Sequence, residues 1–472
     1  MSMKIKEFVL RLGQAHWVFA LLATTFGLIF IFLVPPLWGL DEPAHFERVY
    51  QIAHGQIFPS RSVANYGGKA PKNLVELGDY AVNDLIDNTV GDITSRKDVR
   101  DINGYKQFTD AKFSKEEKAT PGSASYPPTA YIGPVLGVIL ADIFNASIGH
   151  TLFLARLFSL LSYILLSWLA IRLLRSSKLK WLFVVVPLLP TALFQGSVVS
   201  ADGMLIGLSL LFMALFIRLM RASQDNNKNL LYSLIVVAII LPLIKFNYIF
   251  LSFALIFVPN GIFNNKKITV ALKATGVLLA TIFSVAWAAV TNAISNAPFS
   301  LRQDGLPVNA ANQISIVLHD PLHLITACVR SIVNHGDYYV QTAISRIGWN
   351  YVDAPMIIVI LLCLALFVAA LYAKKELVSF RKILILIALL SLLGIASIFG
   401  TLYIIFNPVG SNSVDGVQGR YFIPFIIPII LAVAYYVPFE IKISNKSMVY
   451  ILLSITIVGL LFSAWYYYLA TY

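Results

Sequence analysis

Long, uninterrupted apolar runs alternate with short polar segments along almost the whole chain. The first run, from about Trp17 to Trp38, has the length that a helix needs to cross a bilayer, roughly 20 residues. The runs are continuous instead of alternating residue by residue, which excludes a membrane β-barrel. The pattern therefore predicts an all-α polytopic membrane protein, a single domain over residues 1–472 with about eleven transmembrane helices.

Composition supports this interpretation. The chain is 58% hydrophobic and 13% charged, whereas a soluble domain is nearer half apolar and a quarter charged. The net charge of +12 does not indicate a nucleic-acid partner, because lysine and arginine are clustered in short segments between apolar runs, as membrane topology requires. The basic clusters lie in residues 172–180, 218–228, 266–267, 374–382 and 442–446.

These clusters predict the topology, since basic segments remain on the cytoplasmic side. The N-terminus is then inside, and successive clusters are separated by an even number of crossings. Two long loops fall outside, at residues 39–150 and 293–353. The short apolar segment Thr129–Phe144 contains Pro134 and Asp142, and parity places it along the outer interface. A first loop of this length predicts juxtamembrane helices within it.

The tetrapeptide Leu40-Asp41-Glu42-Pro43 follows the first apolar run directly. An acidic residue at bilayer depth costs about 2.5–3.5 kcal/mol, so two adjacent carboxylates predict a catalytic role, with Asp41 or Glu42 as a general base. Asp41 and His45 are four residues apart and would share a helix face. The alternative is that the acidic pair only caps an interfacial helix that Pro43 helps to start.

Three basic residues are candidates for binding a phosphate. Arg420 stands where a late helix re-enters the membrane from outside, and its guanidinium suits a lipid phosphate or snorkels to the interface. Lys245 lies on the outer side, where lysine is disfavoured, so a bound anion or a salt bridge to Asp202 is expected. Arg156, near the outer end of the second crossing, either reaches the same phosphate or pairs with Asp142.

Further residues are candidates for binding the substrate. Asp202 would bind sugar hydroxyls or a metal ion, or cap the helix beginning at Gly203. Tyr126 lines a pocket or anchors the headgroup belt, and Trp349 stacks on a sugar or anchors at the interface. The predicted substrate-binding set is His45, Asp202, Tyr126, Trp349 and Tyr421.

No metal site is assigned from the sequence. His319 and His323 have the spacing of zinc-binding helices, but the glutamate of H-E-x-x-H is missing. Pro321 fits better as the first residue of a helix capped by Asp320. No cofactor is therefore predicted, and a divalent metal ion stays an alternative.

Several of these features occur in a fixed order, and this order resembles the GT-C superfamily of integral-membrane glycosyltransferases. The chain is most similar to a bacterial branch of membrane proteins marked by D-E-P-x-H after the first helix. The features are Asp41-Glu42 after the first helix, a Y-P-P segment (Tyr126–Pro128), Asp202 at one outer turn, Lys245 at the next, and a late G-R-Y-F-x-P motif (Gly419–Pro424).

The resemblance implies a fold, a location and a reaction. It implies a GT-C-like bundle in the bacterial cytoplasmic membrane that moves a sugar, with inversion, from a polyprenyl-phosphate donor to a glycan or lipid-linked glycan acceptor at the extracytoplasmic face. It implies that Asp41 is the base, with Glu42 as the second candidate, and that Arg420 lies near the donor phosphate.

Other functions are left open by the sequence. A flippase or transporter of lipid-linked glycans would also need cations along a phosphate path, although no paired repeats are evident. A polysaccharide polymerase or ligase with a pyrophosphate-linked donor would use outer-loop arginines, and Arg302, Arg330 and Arg346 are present. A non-catalytic receptor is the third alternative. Sugar transfer requires that Asp41 and Arg420 converge at the outer face.

Overall fold

The computed structural model describes residues 14–59, 67–89, 102–121, 126–221, 227–294 and 308–472. In these ranges the chain is almost entirely helical, and seven helices are long and apolar enough to cross a membrane. Two bent helix pairs raise this number to nine. The prediction of an all-α polytopic membrane protein is therefore confirmed.

The first part of the chain consists of one long helix, a group of short elements, and a second long helix. In order these are α1 (Ala15–Leu33), α2 (Glu42–Ala53), β1 (Gly67–Pro71), α3 (Lys72–Thr89), α4 (Ile102–Thr109), β2 (Glu117–Pro121), a 3-10 turn (Pro128–Tyr131), α5 (Ile132–Ile143) and α6 (Ile148–Leu173).

The remainder of the chain is helical throughout. It continues with α7 (Lys180–Val185), α8 (Pro190–Ser197), α9 (Ala201–Arg221), α10 (Lys228–Ile244), α11 (Ile249–Ser252), α12 (Lys266–Ile294), α13 (Ala310–His319), α14 (Pro321–Ile344), α15 (Met356–Tyr372), α16 (Arg381–Phe406), α17 (Ile423–Tyr436) and α18 (Asn445–Thr471).

The first long loop, which the sequence predicts to be extracytoplasmic, contains the helices that its length predicts, namely α2, α3 and α4. It also contains an antiparallel ribbon that the sequence did not predict, in which β1 pairs with β2 and Gly67 lies opposite Pro121. Glycine and proline are depleted in strands, so the segment Gly67–Pro71 gives little strand signal of its own. Pairing with a distant segment supplies the structure.

The predicted number of crossings differs from the structure in two respects. Helices α10 and α15 have 17 residues each and the helical segment Phe246–Phe257 is shorter still, so three of the predicted crossings fall below the length of the seven long spans. In addition, the region predicted as the second outer loop holds α13 and α14, which meet at 105° and are together apolar enough to span a membrane.

Helix α6 is central to the part of the bundle that supports the candidate site, because it packs against α1, α5 and α9. Glycines allow the close approach of α5: a Cβ at Gly137 would lie 2.5 Å from the Leu154 carbonyl oxygen. The opposite face of α5 is an exposed apolar stripe, formed by Ile132, Leu136, Ile139 and Ile143. This stripe fits the interfacial position predicted for the segment.

Candidate active site

Four charged side chains meet at one end of the bundle, on the face predicted to be extracytoplasmic. The Arg420 Nη2 atom donates to Asp41 Oδ2 at 2.9 Å, and Arg420 Nη1 lies 3.4 Å from Asp202 Oδ2. The Lys245 ammonium forms an ion pair with the other oxygen of Asp202. The required convergence of Asp41 and Arg420 is therefore observed, and Asp202 and Lys245 join them.

Asp41 occupies a backbone position that few residues adopt. It precedes α2 with φ +58° and ψ 13°, in the left-handed region that aspartate and asparagine tolerate better than most side chains. Its carboxylate makes no capping hydrogen bond, so the capping interpretation does not describe this side chain. The side chain is 52% exposed, and its Oδ1 atom accepts no hydrogen bond from the residues that the structure describes.

The backbone just before Arg420 is closely packed against α14. The preceding Gly419 donates its N–H to Thr342 Oγ1 at 2.7 Å, and a Cβ at Gly419 would lie 1.7 Å from the Tyr339 carbonyl oxygen. No residue with a side chain fits there. The Arg420 side chain is only 4% exposed, yet its Nε and Nη1 atoms have no hydrogen-bond partner among the described residues. Because Nη1 lies next to Asp202, Nε is the buried donor of Arg420 left without a partner among these residues, and such a group favours a nearby anion.

Aromatic rings line the two cations. The Lys245 Nζ atom lies 4.8 Å from the Tyr421 ring centre and 5.9 Å from that of Tyr126, within the range of cation–π attraction. Tyr421 Oη accepts a hydrogen bond from Arg420 Nη2 at 3.2 Å. Two of the predicted substrate-binding residues, Tyr126 and Tyr421, are therefore next to the charged cluster.

Glu42 and Arg156 require a correction of the sequence interpretation. Glu42 is fully buried and forms a bidentate pair with Arg156, with Nε–Oε1 at 2.8 Å and Nη2–Oε2 at 2.6 Å. The backbone N–H groups of Gly39 and Val199 also donate to Glu42. Arg156 therefore pairs with neither Asp142 nor an exposed anion, and Glu42 has no accessible oxygen with which to act as a base.

For Asp202 and Lys245, the sequence offered a salt bridge between them and a helix cap at Asp202 as alternatives to ligand binding. The salt bridge between them is observed, and α9 begins at Ala201 instead of Gly203. Asp202 lies in the first turn of α9, where its N–H donates to Ser200 Oγ while its own carboxylate faces the cations. Asp202 thus holds Lys245 and Arg420 in place, and it is 4% exposed. With so little exposed surface, the Asp202 carboxylate has little room to contact sugar hydroxyls.

His45 lies beneath the cluster and is buried against two tyrosines. Its Nδ1 atom lies 2.6 Å from Tyr131 Oη, and its ring meets Tyr126 edge-on at 5.1 Å. Burial lowers the pKa of His45 from 6.5 to about 4, because a dry environment disfavours the charged imidazolium. His45 is therefore neutral at pH 7, and it supports the wall that carries Tyr126.

This burial predicts a pH dependence of stability. Above pH 6.5 the imidazole is neutral in both states; as the pH falls towards 4, only the unfolded chain takes up the proton. We expect His45 to account for about 3 kcal/mol of stability lost over that interval. Thermal unfolding in detergent at pH 7 and pH 4.5 should show a smaller pH effect in His45→Asn than in the natural protein. Equal pH effects would contradict the assignment.

Trp349 lies close to the turn that carries Asp41. Its Nε1–H donates to the Gly39 carbonyl at 2.6 Å, so it ties the segment after α14 to that turn. This hydrogen bond gives the ring a positioning role, and its stacking on a sugar stays a prediction. The indole of a half-buried tryptophan commonly finds such a partner.

Sequence reasoning missed Arg48, and it expected Tyr131, like Tyr126, to lie in the headgroup belt or to line a pocket. Tyr131 is the partner of His45, and Arg48 donates to the carbonyls of Tyr126, Gln56 and Ile57. Arg48 is 1% exposed, so it fixes the Tyr126 backbone from inside. The available signal was its position on α2, three residues after His45 and one turn before Ile52, on a face that is otherwise buried.

The remaining candidates do not join the cluster. His319 ends α13, and His323 lies in α14, which starts at Pro321 after the predicted Asp320 cap. Because the two helices meet at a bend, the two histidines do not lie on one face of a single helix. Among the described residues, no group of three or more His, Cys, Asp and Glu could hold a metal ion. Arg302 lies outside the described residues, Arg330 donates to Asn412, and Arg346 pairs with Asp353.

Fold and site together define a polytopic α-helical membrane protein with a charged cluster at one end of its bundle. The chain belongs to the family described as predicted membrane protein (DUF2142), whose model matches residues 24–430. The match includes all four members of the charged cluster. Comparisons with curated proteins and with solved structures give no match.

Proposed function

We propose that the protein is an inverting glycosyltransferase that uses a polyprenyl-phosphate sugar at the extracytoplasmic face. The observation that carries the proposal is the pair formed by Asp41 and Arg420. A half-exposed carboxylate lies 2.9 Å from a buried guanidinium whose Nη1 atom has only the 3.4 Å ion pair to Asp202 and whose Nε atom has no hydrogen-bond partner among the described residues. A base beside an anion-binding group is the arrangement that transfer from a phosphate leaving group needs.

Arg420 and Lys245 would bind the donor phosphate. As the bond between the anomeric carbon and the phosphate oxygen breaks, negative charge develops on the phosphate, and fixed cations stabilise it. Asp202 contacts both cations, so they are already in position before the donor arrives. A site arranged in advance avoids the cost of reorganisation during the reaction.

Asp41 would activate the acceptor. Its carboxylate accepts the proton of the acceptor hydroxyl while the hydroxyl oxygen forms its bond to the anomeric carbon, opposite the departing phosphate. The polyprenyl phosphate leaves with the electron pair of the broken bond, and the configuration at the anomeric carbon is inverted. The free Oδ1 atom of Asp41 is the proton acceptor that this step requires.

The location of the cluster supports a lipid-linked donor. Asp202, Lys245 and Arg420 lie at the ends of the apolar helices α9, α10 and α17, and Asp41 lies between α1 and α2. A lipid tail remains in the bilayer while its phosphate reaches the helix ends, whereas cytoplasmic nucleotide sugars have no access to the predicted outer face. Tyr126 and Tyr421 provide flat apolar surfaces next to the phosphate position.

The test is a transfer assay in proteoliposomes with a radiolabelled polyprenyl-phosphate sugar and a glycan acceptor. We expect the label to move to the acceptor and free polyprenyl phosphate to accumulate. If the labelled lipid instead crosses between leaflets with its sugar unchanged, the protein is a flippase and the proposal is wrong. A pyrophosphate-linked donor used in preference would favour the polymerase or ligase alternative.

Arg420 provides a quantitative prediction for the same assay. Arg420→Gln removes the charge-assisted hydrogen bonds to phosphate, each worth about 1.5–3 kcal/mol. We expect the donor concentration for half-maximal transfer to rise at least about ten-fold. Arg330→Gln is the matched control, since Arg330 contacts a surface carbonyl at 3.3 Å. Unchanged donor dependence in Arg420→Gln would remove the phosphate role.

A further inference from the structure

A cavity of about 310 Å³ lies between the C-terminal end of α1 and the N-terminal half of α6, outside the charged cluster. Its walls are mainly apolar, and they include Phe32, Val34, Leu152 and Phe153. Helix α4 covers the end of the cavity that faces away from the bundle, and contributes Lys106. The cavity is thus apolar where α1 and α6 line it and polar where α4 contributes Lys106.

Lys106 is the feature of this cavity that points to a ligand. It is exposed, and its ammonium group makes no ion pair or hydrogen bond with any residue that the structure describes. The cavity lining contains no acidic residue. The lining hydroxyl of Tyr105 is already engaged, accepting from Trp38 and donating to Asp84 outside the lining. Among the described residues, the Lys106 ammonium is therefore the cationic group of the lining that is left for a ligand.

Arg156 also lines the cavity, but it is not available to a ligand. Its Nε and Nη2 atoms bind Glu42, and its remaining hydrogen bonds go to the carbonyls of Ile31, Val34 and Pro35. The Glu42–Arg156 pair therefore forms the wall between this cavity and the candidate active site. A ligand in the cavity is separated from Asp41 by this pair.

We propose that this cavity binds an anionic phospholipid of the surrounding leaflet, with its phosphate at Lys106 and an acyl chain along Phe32 and Phe153. The two rings are 5.5 Å apart and Phe32 is 67% exposed, so they present a surface towards the bilayer. An apolar trough below a cation matches a lipid headgroup with its first methylenes. A glycan fits poorly, because the trough offers few free hydrogen-bonding groups.

The bound lipid has a structural consequence that is independent of sugar transfer. It packs against Arg156, the member of the buried Glu42–Arg156 pair that lines the cavity. A ligand that binds the folded protein and not the unfolded chain stabilises the folded state. The lipid therefore stabilises the junction of α1, α2 and α6, whatever reaction the protein catalyses.

The test compares lipid binding to the full-length protein in detergent, by native mass spectrometry and thermal unfolding. The probes are dioleoyl phosphatidylglycerol, dioleoyl phosphatidylcholine and inorganic phosphate. We expect phosphatidylglycerol to bind most tightly and to raise the unfolding temperature. Lys106→Gln should weaken its binding about five-fold, as loss of one cation near a lipid surface predicts. Phe32→Ser should weaken it as well.

Lys115→Gln is the matched control, because Lys115 is exposed in the same loop and does not line the cavity. It should bind phosphatidylglycerol like the natural protein. Equal binding by Lys106→Gln and the natural protein would overturn the proposal, as would an equal loss in Lys115→Gln or equal affinity for phosphatidylcholine. Stabilisation by inorganic phosphate alone, unaffected by Phe32→Ser, would indicate a free-phosphate site instead. Unfolding temperatures without lipid check that each variant folds.

Discussion

Asp41→Asn should reduce sugar transfer by at least about 10²–10⁴-fold, the contribution of a well-placed general base. Asparagine has nearly the same shape as aspartate and tolerates the left-handed backbone at φ +58°. Its amide oxygen still accepts the hydrogen bond from Arg420, but it takes no proton from the acceptor. Donor binding and membrane insertion should therefore be retained. Alanine is a poorer choice, because the backbone conformation would be strained.

The measurement is single-turnover transfer in proteoliposomes, with donor binding determined separately. Asp353→Asn is the matched control, since Asp353 is a half-exposed carboxylate that pairs with Arg346 and, among the described residues, forms no ion pair with a member of the cluster. It should transfer sugar at the natural rate. Transfer by Asp41→Asn at the rate of this control would show that Asp41 is not the base, while loss of donor binding would indicate a role for Asp41 in the ground state.

Arg156→Met should destabilise the protein by about 3–5 kcal/mol, the usual effect of removing one partner from a buried ion pair. The substitution leaves the Glu42 carboxylate buried without its cation, and it deprives the Ile31, Val34 and Pro35 carbonyls of their donor. The double variant Glu42→Gln with Arg156→Met should recover part of the loss. Glutamine carries no charge, and its oxygen can still accept from a backbone N–H.

Unfolding in detergent, followed by heat or denaturant, measures this effect. Lys118→Met is the control, because Lys118 and its partner Asp79 are 49% and 64% exposed, and a surface pair contributes at most about 1 kcal/mol. If the two single variants lose the same stability, the Glu42–Arg156 pair is not the structural element described above. If the double variant is less stable than Arg156→Met, the buried charge is not the main cause.

The all-α membrane class was predictable because it depends on features that a sequence displays directly. Apolar runs give the helices, and Asp320-Pro321 marks the start of α14, as the structure confirms. The order of inner and outer segments that the basic clusters indicate stays a prediction. The approach of Arg420 to Asp41 was also expected, since each residue lies at the end of a predicted crossing on the same face. Contacts between helix ends are constrained once the order of crossings is known.

The pairing of individual side chains was not predictable in the same way. Asp41 and Glu42 are adjacent, but the left-handed backbone at Asp41 sends one carboxylate towards Arg420 and the other towards Arg156. No periodicity encodes that turn. The ribbon of β1 and β2 and the bend between α13 and α14 likewise depend on partners far away in the sequence, which a local pattern does not specify.

The two carboxylates at the start of α2 differ in how many contacts hold them. Both oxygens of Glu42 accept hydrogen bonds from Arg156, and Oε1 also accepts one from a backbone N–H, whereas Asp41 accepts one from Arg420, for which an incoming phosphate would compete. Because Glu42 follows Asp41 directly, it fixes the position of Asp41 independently of the later parts of the first loop. Insertions or deletions beyond the ribbon would leave Asp41 in register. Changes in that part of the loop should therefore alter the surface around the charged cluster without moving the Asp41 carboxylate.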